Sequence, residues 1–182
     1  MANRTYLGFS NNLSFNKINY VSSGINNDLT PLHVILTCMN ISDNKDSLYT
    51  YEDFSTSNSI FKFLLKISKE DKRLNKELSK VYSIFMKYSN YKYVITAYVE
   101  LLGVADKNII LPRIEMCRHT KFNDKIIDLK FKNTKELIWK GLKILKINTM
   151  KDFYEFCSNI CIVTKINELK SDPQLITGFW NT

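Results

Sequence analysis

Leu74, Leu78, Val81, Tyr82 and Phe85 recur at i, i+4, i+7, i+8 and i+11, the rhythm at which an α-helix returns side chains to one face. A strand cannot hold that set on one side, because its side chains alternate with period two. The stripe therefore commits residues 69–88 to an amphipathic helix with an apolar face that needs a core. Its neighbours read the same way. Ile60 to Ile67 is apolar on most sides, as a buried helix would be, and it closes at Ser68, which stands in capping-box spacing with Asp71. Tyr91 to Leu102 continues a helical rhythm through Val94, Ile95, Tyr98, Leu101 and Leu102, with Gly103 placed to end it.

Two further helices are expected. Thr30 can cap and Pro31 suits the first helical position, so a helix of about ten residues follows, filled by Val34, Ile35, Leu36, Cys38 and Met39. Residues 149–163 set Phe153, Phe156, Ile160 and Val163 around Cys157 and Cys161. Five glycines and three prolines in 182 residues leave little turn chemistry for an all-β fold. The expectation is a mainly α, single helical domain of about six to eight helices, with at most a minor β element near the N-terminus or at residues 126–132. Within it, residues 1–28 read as an irregular arm and 29–182 as the helical domain. Residues 40–56, rich in Asp, Asn, Ser and Thr, read as an exposed loop.

Charge separates one tract from the rest. The net charge is +8, and between Arg113 and Lys151 eleven cations face four acids, so 39 residues hold almost all of the excess. At the centre of the tract, Asn133 to Ile147 winds into a basic amphipathic helix. Leu137, Ile138, Gly141, Leu142, Ile144 and Leu145 fall on one side, and Lys135, Lys140, Lys143 and Lys146 on the other. Trp139 falls inside the lysine sector. Ammonium groups with an interleaved ring suit a nucleic-acid backbone, the cations on phosphates and the ring available for stacking. The candidate nucleic-acid-binding residues are Arg113, Arg118, Lys121, Lys125, Lys135, Trp139, Lys140, Lys143 and Lys146.

Three strings resemble known families. Gly24 to His33, ending in Thr30-Pro31-Leu32-His33, resembles the opening of an ankyrin repeat, whose TPLH tetrapeptide begins the first helix of each unit. The string does not recur one repeat later, at Phe63-Leu64-Leu65-Lys66, and a lone repeat cannot bury its own faces, so it is read as a helix start. Tyr98 to Ile109 resembles the turn of helix-turn-helix DNA-binding domains. That resemblance implies a leucine-rich helix ending at Gly103 and a second helix carrying Ile109, with Val99 and Pro112 departing from the pattern. Asn90, Ala97, Leu102, Gly103, Leu111 and Pro112 resemble the last helices of the dihydrodipicolinate synthase family, in a chain too short for its barrel.

Catalytic chemistry finds no constellation. His33 and His119 lack a nucleophile or carboxylate setting, and there is no phosphate-binding glycine loop. Glu52-Asp53 and Glu70-Asp71 read as solvated charges. Cys157 and Cys161, with Cys117-x-His119, do not match a common metal spacing, so buried reduced thiols are expected, with no metal and no cofactor. No apolar run is long enough to cross a bilayer. The chain thus reads as a non-enzymatic, intracellular, soluble binding protein with nucleic acid as leading partner. The alternative is a virus- or mobile-element-type helical protein that binds a host or partner protein, with the same basic face against an acidic surface or with the apolar 149–163 helix as a docking stripe.

Overall fold

β-branched and aromatic residues crowd into Thr5–Ser10 (β1) and Tyr93–Tyr98 (β5), and these two runs pair antiparallel at the heart of a five-stranded sheet. The computed structural model describes residues 5–13, 19–23, 30–37, 40–41, 49–98, 149–160 and 165–178. In chain order β1 is followed by β2 (Asn19–Ser23), α1 (Pro31–Thr37), β3 (Asn40–Ile41) and β4 (Tyr49–Asp53). Then come α2 (Phe54–Ile67), α3 (Lys72–Met86), β5, α4 (Met150–Ile160), α5 (Ile166–Ser171) and α6 (Gln174–Thr177). The strand order is β2-β1-β5-β4-β3, and each neighbouring pair is antiparallel.

Register decides which side chains meet the helices. Leu7 stands opposite Thr96 and Phe9 opposite Val94, so the four share one face of the sheet, and all are buried. α2 and α3 cover that face with rings. Phe9 stacks on Tyr88 at 4.6 Å and meets the edge of Phe85 at 5.5 Å, while Phe85 stacks on Phe54 at 4.5 Å. Leu74, Leu78, Val81 and Phe85 of α3 are fully buried in this cluster, each gaining about 1.5–3 kcal/mol from burial.

Buried hydroxyls of β5 and α2 fasten α1 to the same assembly. Thr96 Oγ1 donates to the carbonyl of His33 at 3.3 Å and Ser57 Oγ to the carbonyl of Leu36, while Thr37 Oγ1 reaches the same His33 carbonyl from within α1 at 3.0 Å. Each satisfies a carbonyl that burial would otherwise penalise. α3 starts where Asp71 accepts from the backbone N–H of Leu74, at 3.0 Å. α4 starts at a reciprocal capping pair, Thr149 with Asp152, at 3.2 and 3.3 Å.

Helices hold more than twice as many of the described residues as strands, which is compatible with a mainly α chain. The β part is nevertheless a real sheet. Residues 93–98 form its central strand rather than the helix expected over 91–102. The Val94, Ile95, Tyr98 spacing fits a helix as well as it fits a strand buried on both faces, and the flanking Ser89-Asn90 turn lets the β-branched run extend. Of the helix-turn-helix-like string, Tyr98 is the last residue of β5, and residues 99–109 lie outside the described residues.

Within residues 1–28, β1 occupies an interior position in the sheet, with Leu7 and Phe9 completely buried. The segment expected as an exposed loop at 40–56 contains β3, β4 and the first turn of α2. Glu52, expected in solvent, is 2% exposed and accepts from the backbone N–H of Asp53 at 2.8 Å. The strand expected at 126–132 lies outside the described residues.

Candidate nucleic-acid interface

α3 sorts its side chains into two opposite sectors. At about 100° per residue, Lys72, Arg73, Lys76, Ser79, Lys80, Ser83 and the C-capping Lys87 fall within an arc of roughly 120°. Every one of them is exposed. Leu74, Leu78, Val81 and Phe85 occupy the other side and are buried. The same residues that make the helix amphipathic thereby make its solvent face cationic.

Two of the three acids nearby are turned to other partners, and the third, Glu70, is exposed at the α2–α3 corner. Glu77, the one acid within α3, is half-buried and accepts from Thr177 Oγ1 at 3.2 Å. Asp71 spends one oxygen on Leu74 N–H and the other on the hydroxyl of Tyr154. Arg73 bonds the carbonyl of Ser171 at 3.0 Å and remains exposed. Lys62 and Lys66 on α2 are exposed as well, and Lys66, Lys69 and Lys72 line one open cavity of about 860 Å³ at the α2–α3 corner, with Glu70 on its wall. Residues 62–87 hold eight cations and three acids.

Thr149 and Met150 also line this cavity, and Lys151 follows, exposed, in the first turn of α4. These are the last residues of the 113–151 tract. Arg113, Arg118, Lys121, Lys125, Lys135, Trp139, Lys140, Lys143 and Lys146 lie outside the described residues, as do Cys117, His119 and Cys161. What the structure brings together is the end of that tract and the lysines of the α2–α3 corner.

The second cationic run was readable in the sequence but hidden by averaging. Outside 113–151 the chain carries fifteen cations and fourteen acids, which suggests a neutral remainder. A window over 62–87 separates the eight cations from the acids elsewhere, and the helical stripe at Leu74, Leu78, Val81 and Phe85 already puts those cations on its outer side.

Other candidate chemistry resolves into structure. His33 is completely buried, and burial pushes its imidazole down to about 3, so it is neutral at physiological pH. Thr30 is buried too. Its Oγ1 has no hydrogen-bond partner among the described residues, so it does not cap α1 but packs against Gly178. Cys157 is a buried thiol, and no group of three or more metal-ligating side chains occurs among the described residues. Phe153, Tyr154 and Cys157 of α4 are in the core, so this part of the apolar face at 149–163 is not available as a docking stripe.

No protein-family model, curated protein or solved structure matches the chain. Among the described residues no helix is long and apolar enough to cross a membrane. The site therefore stands on its own chemistry, an extended array of ammonium and guanidinium groups on a rigid helix. Arrays of this kind are suited to a polyanion, for which the release of condensed counterions is the usual source of affinity.

Proposed function

We propose that this is a non-enzymatic, intracellular binding protein whose partner is nucleic acid, held through its phosphates by the 113–151 tract together with the cationic face of α3. The observation that carries the reading is the division of α3, whose solvent side is basic along its whole length while its one acid is turned aside and bonded. The end of the 113–151 tract lies at the same corner, which favours one continuous surface over two separate ones. Phosphate contacts of this kind position a partner without reading its bases.

The test is retention of DNA or RNA by the purified chain. Binding is expected near 50 mM salt, with a steep linear fall of log affinity against log salt and a loss on the order of 10³-fold by 200 mM if about six phosphates are contacted. Lys140→Glu/Lys143→Glu/Lys146→Glu is expected to abolish retention at moderate salt. No retention even at the lower salt sinks the reading. A partner that survives nuclease treatment would transfer the same face to an acidic protein.

A further inference from the structure

The shape and chemistry of the α3 face narrow the partner. We infer that this face is a docking site for a nucleic-acid duplex, contacted through backbone phosphates; the inference rests on the nucleic-acid reading above. A helix of 15 residues is about 22 Å long, so cations at Lys72, Lys76, Lys80 and Lys87 span far more than one phosphate or one nucleotide. They match a polymer of charge. The duplex is the denser polymer, with one charge per about 1.7 Å of axis and a larger counterion release per contact than a single strand gives.

Single-strand sites add stacked rings, each worth about 1–3 kcal/mol per base. The exposed sector of α3 itself has none, its remaining positions being Ser79 and Ser83, so stacking by Trp139 would belong to the 113–151 tract and not to this face. The ring next to it is committed elsewhere, since Tyr82 bonds Asn58 through its hydroxyl at 3.0 Å and packs on Phe61 at 5.1 Å. An anionic lipid surface would take apolar side chains alongside the lysines. The one exposed large hydrophobic residue among the described residues is Met86, at the end of α3.

The face is also rigid. Asp71 caps the helix, Tyr154 holds Asp71, and Asn75 Nδ2 bonds both the carbonyl of Leu65, at 3.1 Å, and Ser68 Oγ, at 2.9 Å. A backbone held in this way suits a stiff partner, because neither main chain has to order on docking and the cost that remains is the ordering of the flexible lysine stems.

The experiment is fluorescence anisotropy of the full chain with a labelled duplex of about 20 base pairs and with one of its strands alone, across a salt series. The duplex is expected to bind more tightly than the strand. Lys76→Glu/Lys80→Glu is expected to lower duplex affinity roughly 60-fold at 0.1 M salt and to reduce the salt slope by about 2, the loss of two phosphate contacts. Lys76→Arg/Lys80→Arg should retain both. Lys76→Gln/Lys80→Gln, neutral and compatible with helix, should move in the same direction as the glutamate pair, with circular dichroism confirming an intact fold.

Strand binding as tight as duplex binding overturns the inference. So does wild-type duplex affinity in the folded glutamate or glutamine pair. If the wild-type chain binds nucleic acid and only those α3 variants have no effect, the duplex face falls and the broader reading stands. If the wild-type chain binds no nucleic acid, both fall.

Discussion

The hydroxyl of Tyr154 donates to Oδ2 of Asp71 at 2.6 Å, while Oδ1 of the same carboxylate accepts from the backbone N–H of Leu74 at 3.0 Å. One half-buried side chain thus starts α3 and anchors α4, across 83 residues of sequence. Lys170 lies 5.4 Å above the Tyr154 ring and adds a cation on its face. The pair fixes the N-terminal end of the cationic helix next to the point where the 113–151 tract enters α4.

Removing either partner should be measurable in urea unfolding. Tyr154→Phe keeps the ring and the cap and forfeits one hydrogen bond to a charged group, a loss of about 1.5–3 kcal/mol. Asp71→Ala also removes the cap and leaves a buried tyrosine hydroxyl without its acceptor, so it should cost about 1 kcal/mol more. Equal stability of wild type and Tyr154→Phe would show that the bond adds nothing.

Tyr154 should also shape the alkaline limb. Burial, then the hydrogen bond and charge of Asp71, raise its hydroxyl above the ordinary tyrosine value near 10. The folded state therefore holds the proton longer than the unfolded chain does. Stability from this group is fully present below about pH 10 and is lost progressively as pH rises above it. The difference in unfolding free energy between wild type and Tyr154→Phe should shrink over that range.

His33 sets the acid limb with the opposite sign. Its imidazole is held down to about 3 by burial, against 6.5 in the unfolded chain. The unfolded state binds the proton first, so stability from the neutral form is present above about pH 6.5 and declines on acidification by up to about 1.4 kcal/mol per pH unit, until pH reaches about 3. His33→Gln should flatten this part of a pH-dependent thermal unfolding series. An NMR titration midpoint near 6.5 for the His33 resonance, identified by its loss in His33→Gln, would contradict it.

Gly178 should tolerate no side chain. Its φ is +67°, and a Cβ there would lie 2.8 Å from Thr30 Cγ2, 2.9 Å from Thr30 Oγ1 and 3.2 Å from His33 Cε1. Gly178→Ala should cost about 1–3 kcal/mol from clash and left-handed backbone strain together. Adding Thr30→Ala removes the two closest atoms and should recover part of the loss, leaving the tight approach to His33 Cε1 and about 1 kcal/mol of backbone strain. Thermal unfolding of the two variants separates these contributions.

The α3 stripe was legible because five residues at helical spacing admit one face and one period. Leu74, Leu78, Val81 and Phe85 of that stripe are fully buried, while Tyr82, at its edge, is half-buried with its hydroxyl on Asn58. Tyr93–Tyr98 was not legible in the same way. A run of six residues that is apolar on both sides satisfies a helix turn and a central strand equally, and its choice depends on Thr5–Ser10 and Tyr49–Asp53 supplying hydrogen-bonding edges. Glu52 illustrates the same limit, since an acid beside an acid reads as solvated until β4 takes its place in the sheet and buries it.

By itself, the sequence determined which side of α3 carries charge and which carries core, because both are set by local periodicity around a single helix axis. Only the tertiary structure decided that β5 is a strand between β1 and β4, and that Asp71 holds Tyr154. Those outcomes depend on partners tens of residues away, and local spacing holds no record of which distant edge or hydroxyl the fold will bring within hydrogen-bonding reach.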